Sequence, residues 1–167
     1  MFIEFDMLAD SSRVWVYQAD RTLNQSEVDQ ISEYLRNFVN NWKRHGDDLS
    51  ASFKIEYKQF IILAVDENVN EVSGCSIDSS VHIIKEIEKA FDVDLLNKMK
   101  VSFKDGTNIN TVGLNDFKKY VAANKINANT IVFNNMINSK ADLASAWEVE
   151  ASHSLLNNLN IKYITLL

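Results

Sequence analysis

The 167-residue sequence has no proline, four glycines and one cysteine. With neither proline nor glycine-rich runs, no flexible linker or low-complexity segment divides the chain. The length reads as one domain, residues 1–167, with room for a proper core. A single cysteine cannot close an internal disulfide and cannot supply a cysteine-cluster zinc site, so a reducing compartment is the natural setting. Basic residues are also scarce: 17 Lys and Arg stand against 23 Asp and Glu, a formal net charge of −6. The positive charges are scattered and form no stripe, which argues against a nucleic-acid partner, whose binding rests on phosphate neutralisation. No apolar run approaches the roughly 20 residues of a membrane span. Met1–Asp6 has neither the basic leader nor the apolar stretch of a secretory signal. A cytoplasmic protein is the expectation. No Gly-x-x-x-x-Gly-Lys-Ser/Thr or Gly-x-Gly-x-x-Gly string occurs, so phosphate-loop and dinucleotide chemistry have no motif here, and no cofactor is implied.

What is present reads as alternating strands and helices. Arg13 to Ala19 is β-branched and aromatic on both faces, which predicts a central strand. Asn24-Gln25-Ser26-Glu27 is a variant capping box. Val28, Ile31, Leu35, Phe38, Val39 and Trp42 then recur at helical steps, predicting an amphipathic helix that ends near Trp42. His45-Gly46-Asp47-Asp48 supplies a glycine and a turn. Ala51, Phe53, Ile55 and Tyr57 alternate with polar residues as an edge strand does. Phe60 to Val65 is continuously apolar, as a central strand is. The join at Lys58-Gln59 is poor hairpin chemistry, and one long bent strand is the alternative. A second helix is expected from Asp78, burying Val81, Ile84, Ile87 and Phe91.

This order fits an α+β fold with a ferredoxin-like βαββαβ core over about residues 10–105. The fourth strand is either 99–104 or 130–133. A helix–strand–helix extension follows over about 106–150. It holds a short helix around Phe117 and a capping box at Ser139-Lys140-Ala141-Asp142 opening a helix through Trp147. In the tail, 151–167, Ile161 to Leu167 reads as a strand or a frayed end.

That topology places the loop after the first helix, the start of the first strand and the start of the second helix at one end of the sheet. The stretch Gly74-Cys75-Ser76-Ile77-Asp78-Ser79-Ser80-Val81-His82 is the focus. His45–Asp48, Asp10–Arg13 and, if 130–133 is the fourth strand, Asn134 and Asn135 are expected to join it. Free N–H groups at the helix start, with Gly74, Ser76, Ser79, Ser80 and the charge of Arg13, suit a small anionic ligand. The alternative to a ligand is a plain cap by Asp78 or Ser79. Cys75 near a helix N-terminus, with His45 or His82 as base, is a candidate nucleophile for a hydrolase or transferase; a buried apolar thiol is the alternative. Asp78 and His82 share a helix face and are candidate metal ligands; Asp-x-x-x-His is also frequent by chance. Whether the chain is an enzyme is open on this reading. A binding module for a small anion or a protein partner is the leading expectation. Trp147 stands apart from the core-periodic Trp15, Phe38 and Trp42, and is a candidate cover for the corner or for a partner surface.

The segments Asp10–Ala19, His45-Gly46, Gly74–His82, Val101–Lys104 and Asn129–Asn135 resemble, in the same order, a small family of uncharacterised bacterial proteins that carry the inherited name "ABC transporter ATPase". The resemblance covers roughly residues 1–150. The residues give that label no support, since there is no Walker A lysine loop, no Leu-Ser-Gly-Gly-Gln signature and too short a chain. The resemblance brings no catalytic residue with it. The tail, roughly Ala151 to Leu167, departs from the shorter ending of that family.

Overall fold

The computed structural model of the protein describes residues 1–153. The elements are β1 (Arg13–Gln18), α1 (Gln25–Asn40), β2 (Lys43–Arg44), β3 (Asp47–Asp48), β4 (Ala51–Glu56), β5 (Phe60–Val65) and α2 (Gly74–Phe91). They continue with β6 (Lys100–Asp105), β7 (Asn108–Gly113), α3 (Leu114–Ala122), β8 (Ile131–Phe133), α4 (Lys140–Ser145) and β9 (Glu148–Glu150). The fold is mixed α+β. An antiparallel sheet ordered β1-β5-β4 stands beside an antiparallel sheet ordered β7-β6-β8-β9, and β2 and β3 form a small hairpin.

Both faces of the first sheet are covered, and the sequence follows from that. Trp15, Tyr17, Ile61, Leu63, Phe53 and Ile55 face α1 and α2, which bury Ile31, Leu35, Ile83, Ile84 and Ile87 against them. Val14, Phe60, Ile62 and Ala64 face the other way, onto Leu8, Phe133, Ile137 and Trp147. Each fully buried isoleucine contributes about 1.5–3 kcal/mol. β5 is central and every residue in it is buried. β1 was expected to be central too, but among the described residues it lies at an edge. Among those residues its outer side meets the chain at one bridge, Arg13 to Ser139, and at a bond from the Val14 N–H to the Asn138 carbonyl, 3.0 Å. Its apolar pattern reports two covered faces, not two neighbouring strands.

The hairpin between β4 and β5 forms despite its turn residues. Tyr57 and Lys58 adopt φ of 54° and 52°, a left-handed conformation that costs a non-glycine residue about 1–2 kcal/mol. The chain after β1 offsets this. The Leu23 N–H donates to the Lys58 carbonyl at 2.8 Å and the Ala19 N–H to the Gln59 carbonyl at 2.7 Å.

The second half corrects the expected extension. Both candidate fourth strands, 99–104 and 130–133, lie in the second sheet, where β6 and β8 pair at Phe103 and Val132. Neither pairs with β1. β7 was not anticipated. It pairs along its whole length with β6 after a turn at Gly106, φ 60°. α1 ends at Asn40, before Trp42, and α4 ends before Trp147. Trp147 is 5% exposed and packs on Phe60 and Phe133, so it is core between the sheets and covers no loop corner. The Ile161–Leu167 strand candidate lies outside the described residues. No helix among the described residues is long and apolar enough to cross a membrane.

Candidate functional site: the groove beside the start of α2

α2 begins one turn earlier than its sequence suggests. The cap is Ser73, whose hydroxyl accepts from the Ser76 N–H at 3.3 Å. Asp78 therefore sits in the second turn and caps nothing. The loop before the helix is set by Glu67, which accepts from the Val72 N–H at 3.2 Å. The buried face includes Ser76 and Ser80 beside Ile83, Ile84 and Ile87, while Val81 and Phe91 are only half-buried.

The turn expected at this helix start was His45–Asp48; the bonds that reach it come from the residues just before that turn, Trp42 and Lys43. The Ser76 hydroxyl donates to the Lys43 carbonyl at 3.0 Å, and the Trp42 indole Nε1–H donates to the Ser76 carbonyl at 2.9 Å in a buried bond. His45 and Gly46 form the turn of the β2–β3 hairpin, with φ of 50° and 98°. Trp42 in turn packs on Trp15 and Phe38.

The hydroxyls nominated for an anion are mostly committed. Ser76 is bonded as above. Ser80 is buried and donates to the Ile77 carbonyl at 2.7 Å. Burial pushes the neighbouring Tyr17 phenol up, with the Ser80 hydroxyl acting in the opposite direction. Ser79 is exposed and bonds the Cys75 carbonyl at 2.9 Å. Gly74 is exposed, with nothing within 4 Å of the place a Cβ would take. Arg13 is already paired, with Nη1 3.6 Å from Glu67 Oε1 and its guanidinium 4.8 Å above the Trp15 ring.

Asn134 and Asn135 do not join this corner. Asn135 Nδ2 donates to Gln18 at 2.9 Å and its oxygen accepts from the Trp147 indole at 3.0 Å, on the opposite face of the first sheet. Asn134 accepts from the Met136 N–H and reaches the Ala146 carbonyl. They fall there because β8 belongs to the second sheet. Cys75 is exposed, so it is not a buried apolar thiol. No hydrogen bond links it to His45 or His82 among the described residues. His82 Nε2 lies 3.4 Å from Glu86 instead. Among the described residues no group of three or more His, Cys, Asp or Glu could hold a metal ion.

What the corner does offer is a groove of about 680 Å³ between the end of α1 and the outer face of α2. Its floor is apolar: Phe38, Trp42 and Ile83. One rim carries Asn41 and Lys43, the other Asp78, Ser79, His82 and Glu86. Lys43 Nζ is 3.6 Å from Asp48. The Asp78 carboxylate has no hydrogen-bond or ion-pair partner among the described residues. Of the nominated residues, Asp78, Ser79 and His82 reach this groove. Sequence reading missed Asn41, Lys43, Ile83 and Glu86, and took Phe38 and Trp42 as core only. The signal for the α2 rim was the four-residue spacing of Asp78, His82 and Glu86, which places them on one stripe.

A second polar cluster was not foreseen. Lys104 Nζ donates to the Tyr57 hydroxyl at 3.2 Å, and Glu148 bonds both. It lies over the aromatic cluster of Tyr57, Phe133 and Trp147. Burial, aided by Glu148, pushes the Tyr57 phenol up and keeps it a neutral donor. These residues come from both sheets, so the cluster ties the halves together.

A scan against protein-family models and searches of curated proteins and of solved structures return no match to this chain.

Proposed function

We propose that this protein is a non-catalytic binding module whose site is the groove between the end of α1 and the second and third turns of α2. The observation that carries this reading is the groove itself. It is an open concave surface of about 680 Å³ in which Phe38, Trp42 and Ile83 are flanked by six polar or charged residues, a more polar lining than most small-molecule pockets have. The floor is rigid, since the buried Trp42–Ser76 bond and the Ser76–Lys43 bond fix the two walls relative to each other. A preorganised wall lowers the ordering cost of binding. The acidic side chains on the α2 rim, Asp78 and Glu86, suit a cationic group better than the small anion expected at the bare helix start. The same reading takes β1, α1, β4, β5 and α2 as the first five elements of a ferredoxin-like core, which the strand order β1-β5-β4 supports, and places the protein in a reducing cytoplasm.

A thermal-shift panel of phosphate, nucleotides, amino acids and short peptides tests the site, run on the wild type and on Ser79→Trp. Ser79 is exposed, so the added indole fills the groove without entering the core. A ligand at saturation a hundredfold above Kd adds about 2.7 kcal/mol of stability. The expected result is at least one compound that raises Tm in the wild type and not in Ser79→Trp. No shift with any compound, or an equal shift in both proteins, overturns the reading.

A further inference from the structure

We infer that the groove recognises a partner-protein segment that presents one basic side chain next to an apolar one, with the basic group seated on Asp78; this rests on the groove being the binding site. Among the charged lining residues, Lys43 stands 3.6 Å from Asp48 and Glu86 stands 3.4 Å from His82. Asp78 alone has no counterpart among the described residues, and it sits at the rim over the apolar floor. Its carboxylate is exposed on the second turn of α2 and is used in no bond among the described residues. An incoming ammonium or guanidinium therefore meets an unpaired carboxylate, while an incoming carboxylate meets Asp78 and Glu86 together. The aliphatic stem of a lysine or arginine, or the apolar residue beside it, covers Phe38 and Ile83. The net charge of −6 adds long-range steering in the same direction.

The test uses three matched tripeptides, N-acetylated and C-amidated: Leu-Lys-Phe, Leu-Gln-Phe and Leu-Glu-Phe. Each is titrated into the full chain while the Trp42 indole N–H resonance is followed by NMR. Trp15 and Trp147 are internal controls in the same spectrum. The lysine peptide is expected to move Trp42, and to bind about 1.5- to 5-fold more tightly than the glutamine peptide, the range of one solvent-exposed ion pair. The glutamate peptide is expected to bind more weakly still. Asp78→Asn is expected to erase the difference between lysine and glutamine while leaving the glutamine peptide unchanged, and added salt to shrink it in the wild type. Equal binding of all three peptides at Trp42 overturns the charge selection and leaves the groove standing. A lysine preference that survives Asp78→Asn overturns the role of Asp78. No movement of Trp42 with any peptide overturns both the selection and the site for peptide ligands.

Discussion

Glu27 offers a quantitative check on how the helices are joined. Its carboxylate accepts from Arg21 Nη1 at 3.0 Å and Nη2 at 2.8 Å, and from the Asn24 N–H at 2.8 Å. The same Arg21 donates to the Phe91 carbonyl at 2.7 Å. One carboxylate thus closes the capping box of α1 and, through Arg21, fastens the end of α2. The Arg21 bonds, then the Asn24 N–H, hold the Glu27 carboxyl down from 4.5 to about 2. At about 1.4 kcal/mol per pH unit, that drop has a ceiling near 3 kcal/mol. The Arg21 side chain is 41% exposed, so solvent screening reduces the expected contribution to about 1–2 kcal/mol. The folded-state value lies below the unfolded one. The stabilisation is therefore complete above about pH 4.5 and fades as pH falls toward 2. Glu27→Gln keeps an oxygen for the Asn24 N–H and removes the charge. Urea unfolding of both proteins at a series of pH values reads the difference. It should be about 1–2 kcal/mol at pH 7 and close to zero near pH 2. A gap that stays constant across that range refutes the ion-pair assignment, and no gap at pH 7 refutes the magnitude.

Three further outcomes follow from particular residues. Lys58→Gly relieves a left-handed φ of 52° at an exposed position, and is expected to raise stability by about 0.5–1 kcal/mol in thermal unfolding. Gln59 is 1% exposed; its amide donates to Thr111 at 2.6 Å and to the Ala19 carbonyl at 3.3 Å, joining the first sheet to β7. Gln59→Ala should cost about 2 kcal/mol or more in urea unfolding, because it leaves buried polar groups unpaired and opens a void. Cys75→Ala should change stability by less than about 0.5 kcal/mol and leave groove binding intact, since the thiol is exposed and joined to no histidine among the described residues; loss of binding in that variant contradicts the non-catalytic reading.

The parts of the fold legible in the sequence are those set by local chemistry. Asn24 and Glu27 form the expected capping box, Ser139 accepts from the Asp142 N–H, and the apolar run 60–65 is a central strand. What was illegible depends on distant parts of the chain. β1 reads as central because the second half covers its far face, a contact no local window contains. The Tyr57-Lys58 turn is strained and survives through bonds from Ala19 and Leu23. Ser73 begins α2 because Lys43 and Trp42 engage the Ser76 hydroxyl and carbonyl, whereas the sequence offers Asp78 as an equally good cap. At the site, the chain where α1 runs into the β2–β3 hairpin does meet the start of α2, through Trp42 and Lys43 and not through His45–Asp48 as topology suggested. Topology also sent Asn134 and Asn135 to the wrong face because the sheet containing β8 was not anticipated.

The central claim is that the α1–α2 groove is where this protein binds. Backbone-amide NMR mapping of a compound that raises Tm tests it most directly. The predicted result is that the largest shifts fall on Asn41, Lys43, Ser79 and His82, with the Trp42 indole moving in step and Asn134 and Asn135 still. Shifts concentrated around Tyr57, Lys104 and Glu148, or spread without a focus, contradict it.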